Sequence, residues 1–255
     1  MRIGIIGTGV IGEAIAEGYC SAGLPDLRVT ISPRNQERAK RLREKYPDII
    51  VVAKDNQEVV DSSDWVFFSL LSERAEEILQ ELHFAPEKKF INIVTDLRIS
   101  EVKELIGERK IIGDVVPLTF VAERFGPVVV YPRNKELEEF IGIIGTPVVV
   151  DTPKQTAVLR AATGIMCSYY KLLEVLTDWC VKNGLDEPDA RAYLTEFIGA
   201  LSKKAAGYNG PLGELASEMT EGGLNWMCQS YIAERGGFSM WAEILDPVLD
   251  RVDGD

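Results

Sequence analysis

The sequence is short of what several functions require. Its 255 residues hold one histidine, His83, and four cysteines, Cys20, Cys167, Cys180 and Cys228, none of them in a C-x-x-C pair. A zinc or iron–sulfur site therefore has no ligand set to draw on. Basic residues are outnumbered, 28 Lys and Arg against 40 Asp and Glu, for a net charge of −12. That balance leaves no basic stripe for a nucleic-acid backbone or an anionic membrane surface. No apolar run approaches the roughly 20 residues of a membrane span. The chain enters an apolar strand at once, with no basic leader or cleavage site before it. The expectation is a cytoplasmic protein with reduced, mostly buried thiols and a small-molecule substrate, without nucleic-acid or membrane partners.

What is present is material for a core, since 46% of the residues are hydrophobic. Short apolar runs recur at Ile3–Ile6, Arg28–Ile31, Ile49–Val52, Trp65–Leu70, Phe90–Val94, Ile111–Val116, Pro127–Tyr131 and Pro147–Val150. Bounded by Gly, Pro or charge, they suit strands buried on both faces of a mainly parallel sheet. Helical stretches lie between the early ones, at Gly12–Ala22, Asn35–Lys45, Arg74–Leu82 and Ser100–Ile106. The alternation predicts a doubly wound α/β domain over residues 1–151.

After Asp151-Thr152-Pro153 the pattern changes, and residues 152–255 read as all-helical. One long helix is expected from Lys154 to Val181, closed by Asn183-Gly184, and a second from Glu187 to Ala206, opened by Asp186 and Pro188. Breaks at Asn209-Gly210-Pro211, Gly222-Gly223 and Gly236-Gly237 divide the rest into three shorter helices. The first long segment is apolar nearly all round, with Ala157, Leu159, Ala161, Ile165, Met166, Tyr169, Leu172, Leu173 and Leu176. A domain this small has too little core to cover such a helix, which predicts a homodimer built from this region. The alternative is a compact monomer with that helix at its centre.

The first strand leads into Gly7-Thr8-Gly9-Val10-Ile11-Gly12, followed by the helical Glu13-Ala14-Ile15-Ala16. G-x-G-x-x-G between a strand and a helix is the Rossmann fingerprint for a dinucleotide. The first glycine permits the tight turn, the second leaves room for the pyrophosphate, and the third lets helix and strand approach. The helix amides then face the phosphate charge. An acidic residue at the end of the second strand would hold the adenosine ribose of NAD. Here Ile31-Ser32-Pro33-Arg34-Asn35 offers no acid. Ser32, Arg34 and Asn35 suit a 2′-phosphate instead, so NADP is expected over NAD. Arg34 is otherwise a solvated charge, and Arg38 is a possible sharer of its role. Ser69, Leu70 and Thr95 follow the fourth and fifth strands, at the end of the sheet where open α/β folds bind ligands. Ser69 and Thr95 are either contacts or helix N-caps.

On these residues the chain resembles the pyrroline-5-carboxylate reductase family, as a divergent member. The opening from Ile3 to Ala14, then Ser32-Pro33-Arg34 and Glu37-Arg38, is similar to the family's start and its NADP-selecting loop. Val115-Val116-Pro117-Leu118-Thr119 is similar to the family's Val-Met-Pro-Asn-Thr run, with Leu118 in place of Asn. Leu172–Asp178 falls where the family's long interface helix carries Glu-Ala-Leu-x-Asp. Met219-Thr220-Glu221-Gly222-Gly223-Leu224-Asn225 falls where the family has a Pro-Gly-Gly-Thr-Thr turn that helps hold the substrate carboxylate. Gly222 and Gly223 match, while Glu221, Leu224 and Asn225 replace the proline and both threonines. The family's Ser-Gly-Ser-Gly-Pro-Ala-Tyr segment is replaced by Ala162–Ser168. The resemblance implies an NADP-dependent Rossmann reductase with a helical dimerisation domain, and its departures fall on the substrate side.

Hydride transfer to a small cyclic imine asks the protein mainly for orientation and a dry pocket, because an iminium brings its own charge. That suits a chain whose one histidine precedes Phe84-Ala85-Pro86 in a polar stretch and reads as surface loop. Carbonyl reduction, as in a hydroxy or amino acid dehydrogenase, needs a proton donor. Lys171 is the candidate, a lone cation on an apolar helix with Glu174 as its i,i+3 partner; the alternative is a snorkelling or ion-paired lysine. A non-catalytic NADP(H)-binding regulator is a third reading. Candidate substrate contacts are Thr119, Thr163, Ser168, Thr220, Glu221, Gly222, Gly223 and Asn225; the diglycine amides either receive a carboxylate, which the charge of Glu221 opposes, or form only a turn and N-cap.

Overall fold

The computed structural model describes residues 1–107 and 111–253. Its chain divides into two compact units, Met1–Arg160 with Val252–Asp255, and Ala161–Arg251.

The first unit holds all eight expected strands: β1 (Arg2–Ile6), β2 (Arg28–Ile31), β3 (Ile50–Val52), β4 (Trp65–Phe68), β5 (Lys89–Asn92), β6 (Ile111–Val116), β7 (Pro127–Tyr131) and β8 (Thr146–Val149). They form one sheet in the order β3-β2-β1-β4-β5-β6-β7-β8. Neighbours run parallel except β6 and β7, which are antiparallel. Successive side chains point to opposite faces, and both faces are covered, which is why these strands read as unbroken apolar runs. Ile3, Ile5, Ile31, Phe67 and Ile91 face one core with helices α1 (Val10–Cys20) and α2 (Gln36–Lys45). Ile6, Val66, Phe68 and Phe90 face a second core with α3 (Asn56–Asp61), α4 (Ser72–Gln80) and α5 (Ile99–Ile106). The helix α6 (Lys135–Ile141) closes the first core, where the Phe140 ring stacks on Trp65 at 3.9 Å between centroids.

Neither α3 nor α6 is expected from periodicity. Each is under two turns, too short for an apolar stripe to repeat, and each is started by a capping side chain, Asp55 or Asn134.

Beyond β8 the chain is helical: α7 (Pro153–Ala162), α8 (Met166–Lys182), α9 (Glu187–Ala206), α10 (Leu212–Ser217), α11 (Leu224–Glu234) and α12 (Ser239–Asp253). The single helix expected over 154–181 is corrected to two, separated by a 3₁₀ turn at Thr163–Ile165. Thr163 and Gly164 are weak helix formers, which suits a short 3₁₀ interruption. Asn183 closes α8, Gly184 follows at φ 102°, and Asp186 with Pro188 opens α9. Within the second unit α8 packs on α9, burying Thr177, Ala190 and Leu194. Of the four thiols Cys20 is buried and Cys180 half-buried; Cys167 and Cys228 stand exposed on helices of the second unit, so the expectation of mostly buried cysteines is corrected. Among the described residues no helix is long and apolar enough to cross a membrane.

Candidate active site

The carboxyl ends of β1, β2, β4 and β5 open onto a cavity of about 810 Å³. Every residue expected to touch the dinucleotide lines it except Gly12. The glycines explain why. At Gly7, φ is +98° and a Cβ would stand 2.0 Å from the Ser69 carbonyl oxygen, so only glycine turns the chain there. At Gly12 a Cβ would stand 2.2 Å from the Gly7 carbonyl oxygen, so this glycine lets α1 close on the loop from behind the cavity. At Gly9 a Cβ meets no protein atom within 4 Å. Its absence relieves no internal clash and instead keeps open the place where a pyrophosphate would meet the first amides of α1.

The side chains around that loop brace it. Thr8, buried, donates its hydroxyl hydrogen to the Ser32 carbonyl oxygen at 2.9 Å. The Ser32 hydroxyl accepts from the Gly7 amide at 3.0 Å and donates to Asn56 Oδ1 at 2.7 Å. Ser32 lines the cavity, and its hydroxyl also holds β2 against the glycine turn. Asn35 lines the cavity while its Oδ1 caps α2 by accepting from the Arg38 amide at 3.2 Å. Arg34 is the one charged residue on the described wall, and no ion pair engages it among the described residues. Arg38 does not share that place. Its guanidinium pairs with Glu13, as does that of Arg41.

Ser69 and Thr95 both line the cavity, and neither caps a helix: Leu71 precedes α4 and Arg98 precedes α5. Sequence reasoning missed Gln36, Asn56, Leu71, Ile78 and Ile93 on the same wall. Asn56 had one available signal, its place just after Asp55, a helix-capping type, beyond the third strand.

Behind the Thr95 loop lies a buried polar cluster. Asn92, at the end of β5, donates from Nδ2 to the Leu97 carbonyl at 2.8 Å and to Asp114 Oδ1 at 3.2 Å, and its Oδ1 accepts from the Val94 amide at 3.1 Å. Arg160 donates to the Thr95 carbonyl oxygen and approaches Asp114 Oδ1 at 3.5 Å. Burial pushes the Asp114 carboxyl up to about 6, against the opposing pull of Arg160 and Asn92. The cluster fixes the backbone from Ile93 to Leu97, part of which is cavity wall.

The other sequence candidates lie elsewhere. Thr119 is exposed at the start of a 3₁₀ turn in the first unit and does not line the cavity. In the helical unit, Thr163 opens the 3₁₀ turn and Ser168 is exposed on α8. Lys171, also exposed, pairs with Glu174 at the predicted spacing, and the carboxylate holds its ammonium above the usual lysine range. Thr220, Glu221, Gly222, Gly223 and Asn225 form the turn into α11, with Glu221 exposed and Gly222 at φ 73°. The Gly223 amide is spent inside that turn on the Thr220 carbonyl at 2.9 Å, which leaves the α11 amides beyond it as the outward donors. His83 is exposed in a loop held by Gln57. No group of three or more His, Cys, Asp or Glu among the described residues is placed to hold a metal.

The glycine turn, the strand order and the open cavity define a Rossmann-type nucleotide-binding unit. A family model described as NADP oxidoreductase, coenzyme F420-dependent, matches residues 2–95 of it. The chain is similar to the pyrroline-5-carboxylate reductase of Corynebacterium melassecola, 32% identical over 80 residues, which is 31% of this chain and 29% of that protein. It is also similar to that of Arabidopsis thaliana, 22% identical over 247 residues, covering 93% and 88%. The solved Plasmodium falciparum pyrroline carboxylate reductase with NADP bound shares the fold at TM-score 0.85 and 17% identity, covering 100% of this chain and 97% of that one. The family model falls on the nucleotide-binding unit, and over the whole chain the likeness to pyrroline-5-carboxylate reductases is one of fold.

Proposed function

We propose that this protein is an NADPH-dependent reductase of a small cyclic imine resembling a pyrroline carboxylate. The observation that carries the reading is the cavity over Gly7, Gly9 and Gly12, whose described wall bears Arg34 as its one charge and no carboxylate. A dinucleotide carrying a 2′-phosphate suits that wall better than one with a bare ribose diol, which asks for an acid. The cofactor supplies hydride when bound. The chain's own part is to seat the phosphates on the α1 amides, to meet the 2′ end with Arg34 and Asn35, and to hold the Ile93–Thr95 wall rigid through Asn92, Asp114 and Arg160. An iminium carbon that accepts hydride becomes an amine with no proton required from the protein.

Substrate contacts in this reading are Thr119, Thr163, Ser168 and the Thr220–Asn225 turn, with a carboxylate received at the N-terminus of α11. The imine reading asks nothing of Lys171. The same proposal includes a homodimer through the helical unit, supported by exposed Trp179, Tyr193, Leu224 and Tyr231. It also includes a cytoplasmic setting, supported by four free cysteines. Loss of reduced-nicotinamide absorbance on adding a cyclic imine tests the activity. Turnover is expected; tight NADPH binding without turnover of any imine or ketone would favour a regulator.

A further inference from the structure

Three arginines, Arg34, Arg38 and Arg41, cluster where the chain leaves β2 and enters α2, yet only Arg34 lines the cavity. The other two converge on one carboxylate. Glu13, on the first turn of α1 and nearly buried, accepts from Arg41 Nε at 2.9 Å and from the terminal nitrogens of both Arg38 and Arg41. Its side chain is 11% exposed, against 28% for Arg38 and 52% for Arg41. The acid is thus the fixed member, and the long basic chains come to it. The Arg38 amide is bonded to the Asn35 side chain, so its backbone sits beside the cavity wall while its guanidinium is turned toward α1.

On the reading of the cavity as a dinucleotide site, this arrangement has a consequence for selectivity. We propose that Glu13 sets how strongly the protein prefers NADPH, by holding Arg38 and Arg41 away from the 2′ end and leaving Arg34 as its one cation. Glu13 acts through the arginines and is a selectivity-positioning residue. A guanidinium drawn onto a buried carboxylate adds less attraction for a phosphate, because the carboxylate offsets part of its charge and turns the group toward α1. Removing the acid's charge frees Arg38, four residues beyond Arg34 in sequence, to turn back to the cavity.

The test compares dissociation constants of NADPH and NADH for the parent, Glu13→Gln, Arg38→Gln and the double variant, with thermal melts to verify folding. Glutamine keeps the side-chain volume and one acceptor, so Glu13→Gln should remain folded. Its NADPH preference is expected to rise about threefold to tenfold, the size of one exposed charge-assisted contact. The gain should disappear in the double variant and shrink at high salt. Arg38→Gln alone is expected to leave the preference within about twofold, since that arginine is already engaged. An unchanged preference in folded Glu13→Gln, or a large loss in Arg38→Gln, overturns the inference. Failure of the parent to bind either dinucleotide would instead overturn the functional reading on which it rests.

Discussion

At the scale of single residues, two glycines of one motif serve opposite ends. Gly12 separates a helix from a carbonyl oxygen 2.2 Å from where a Cβ would stand, and Gly9 separates nothing within the protein. Gly12→Ala should therefore lower stability, by about 1–3 kcal/mol as overpacking does. Gly9→Ala should leave the melting temperature almost unchanged and weaken dinucleotide binding at least about tenfold, as steric exclusion of a phosphate would. Melting and binding titrations on both variants separate the roles, and similar melting losses would contradict the assignment. Asp114 gives a second residue-level test. Its folded-state pKa of about 6 lies above the ordinary 3.8, so the folded protein holds a proton that the unfolded chain has released. Stability tied to this group is present below pH ~4 and is lost as pH rises through ~6, by about 3 kcal/mol at most. In Asp114→Asn that decline should vanish from the pH dependence of urea unfolding between ~4 and ~6, whereas curves parallel to the parent's would contradict it.

Elements differ in how much of them the sequence discloses. The strands were legible because burial on both faces makes each a compact apolar run, and turn residues mark their ends. The glycine turn was legible because strand, motif and helix occur in order. The helices α3 and α6 were not, since they span less than two turns and begin from a side-chain cap. Ile78 reaches the cavity through the placement of the whole helix α4, which local spacing does not encode. Ser32, read as a phosphate contact, and Arg38, named only as a sharer of the role of Arg34, meet Asn56 and Glu13, which lie 24 and 25 positions away in sequence. The loop between β5 and α5 shows the same dependence on distant partners, tied as it is by Arg160 from α7. Arg160→Leu should raise the dinucleotide dissociation constant about fivefold or more, the size of a lost charge-assisted bond, with only a modest fall in melting temperature. Unchanged binding in a folded variant would remove the loop from the account.

At the scale of the whole molecule, the helical unit carries more apolar surface than its own packing covers. Trp179 is 64% exposed, Tyr193 67% and Leu224 82%. Surface of that kind calls for a partner, and the homodimer proposed above supplies one. Light scattering at micromolar concentration should give at least a dimer mass, and Trp179→Glu should shift it toward the monomer; a monomeric parent would contradict the assembly. In the Rossmann unit the fold and the cavity agree, whereas the substrate-side residues depart from the pattern of the pyrroline-5-carboxylate reductases. Reduced-nicotinamide absorbance followed with NADPH against five- and six-membered cyclic imines bearing a carboxylate, with matched 2-keto acids as controls, joins the two most directly. The account predicts oxidation of NADPH with at least one imine and little with the keto acids. Turnover of keto acids alone, abolished by Lys171→Ala while NADPH still binds, would contradict it.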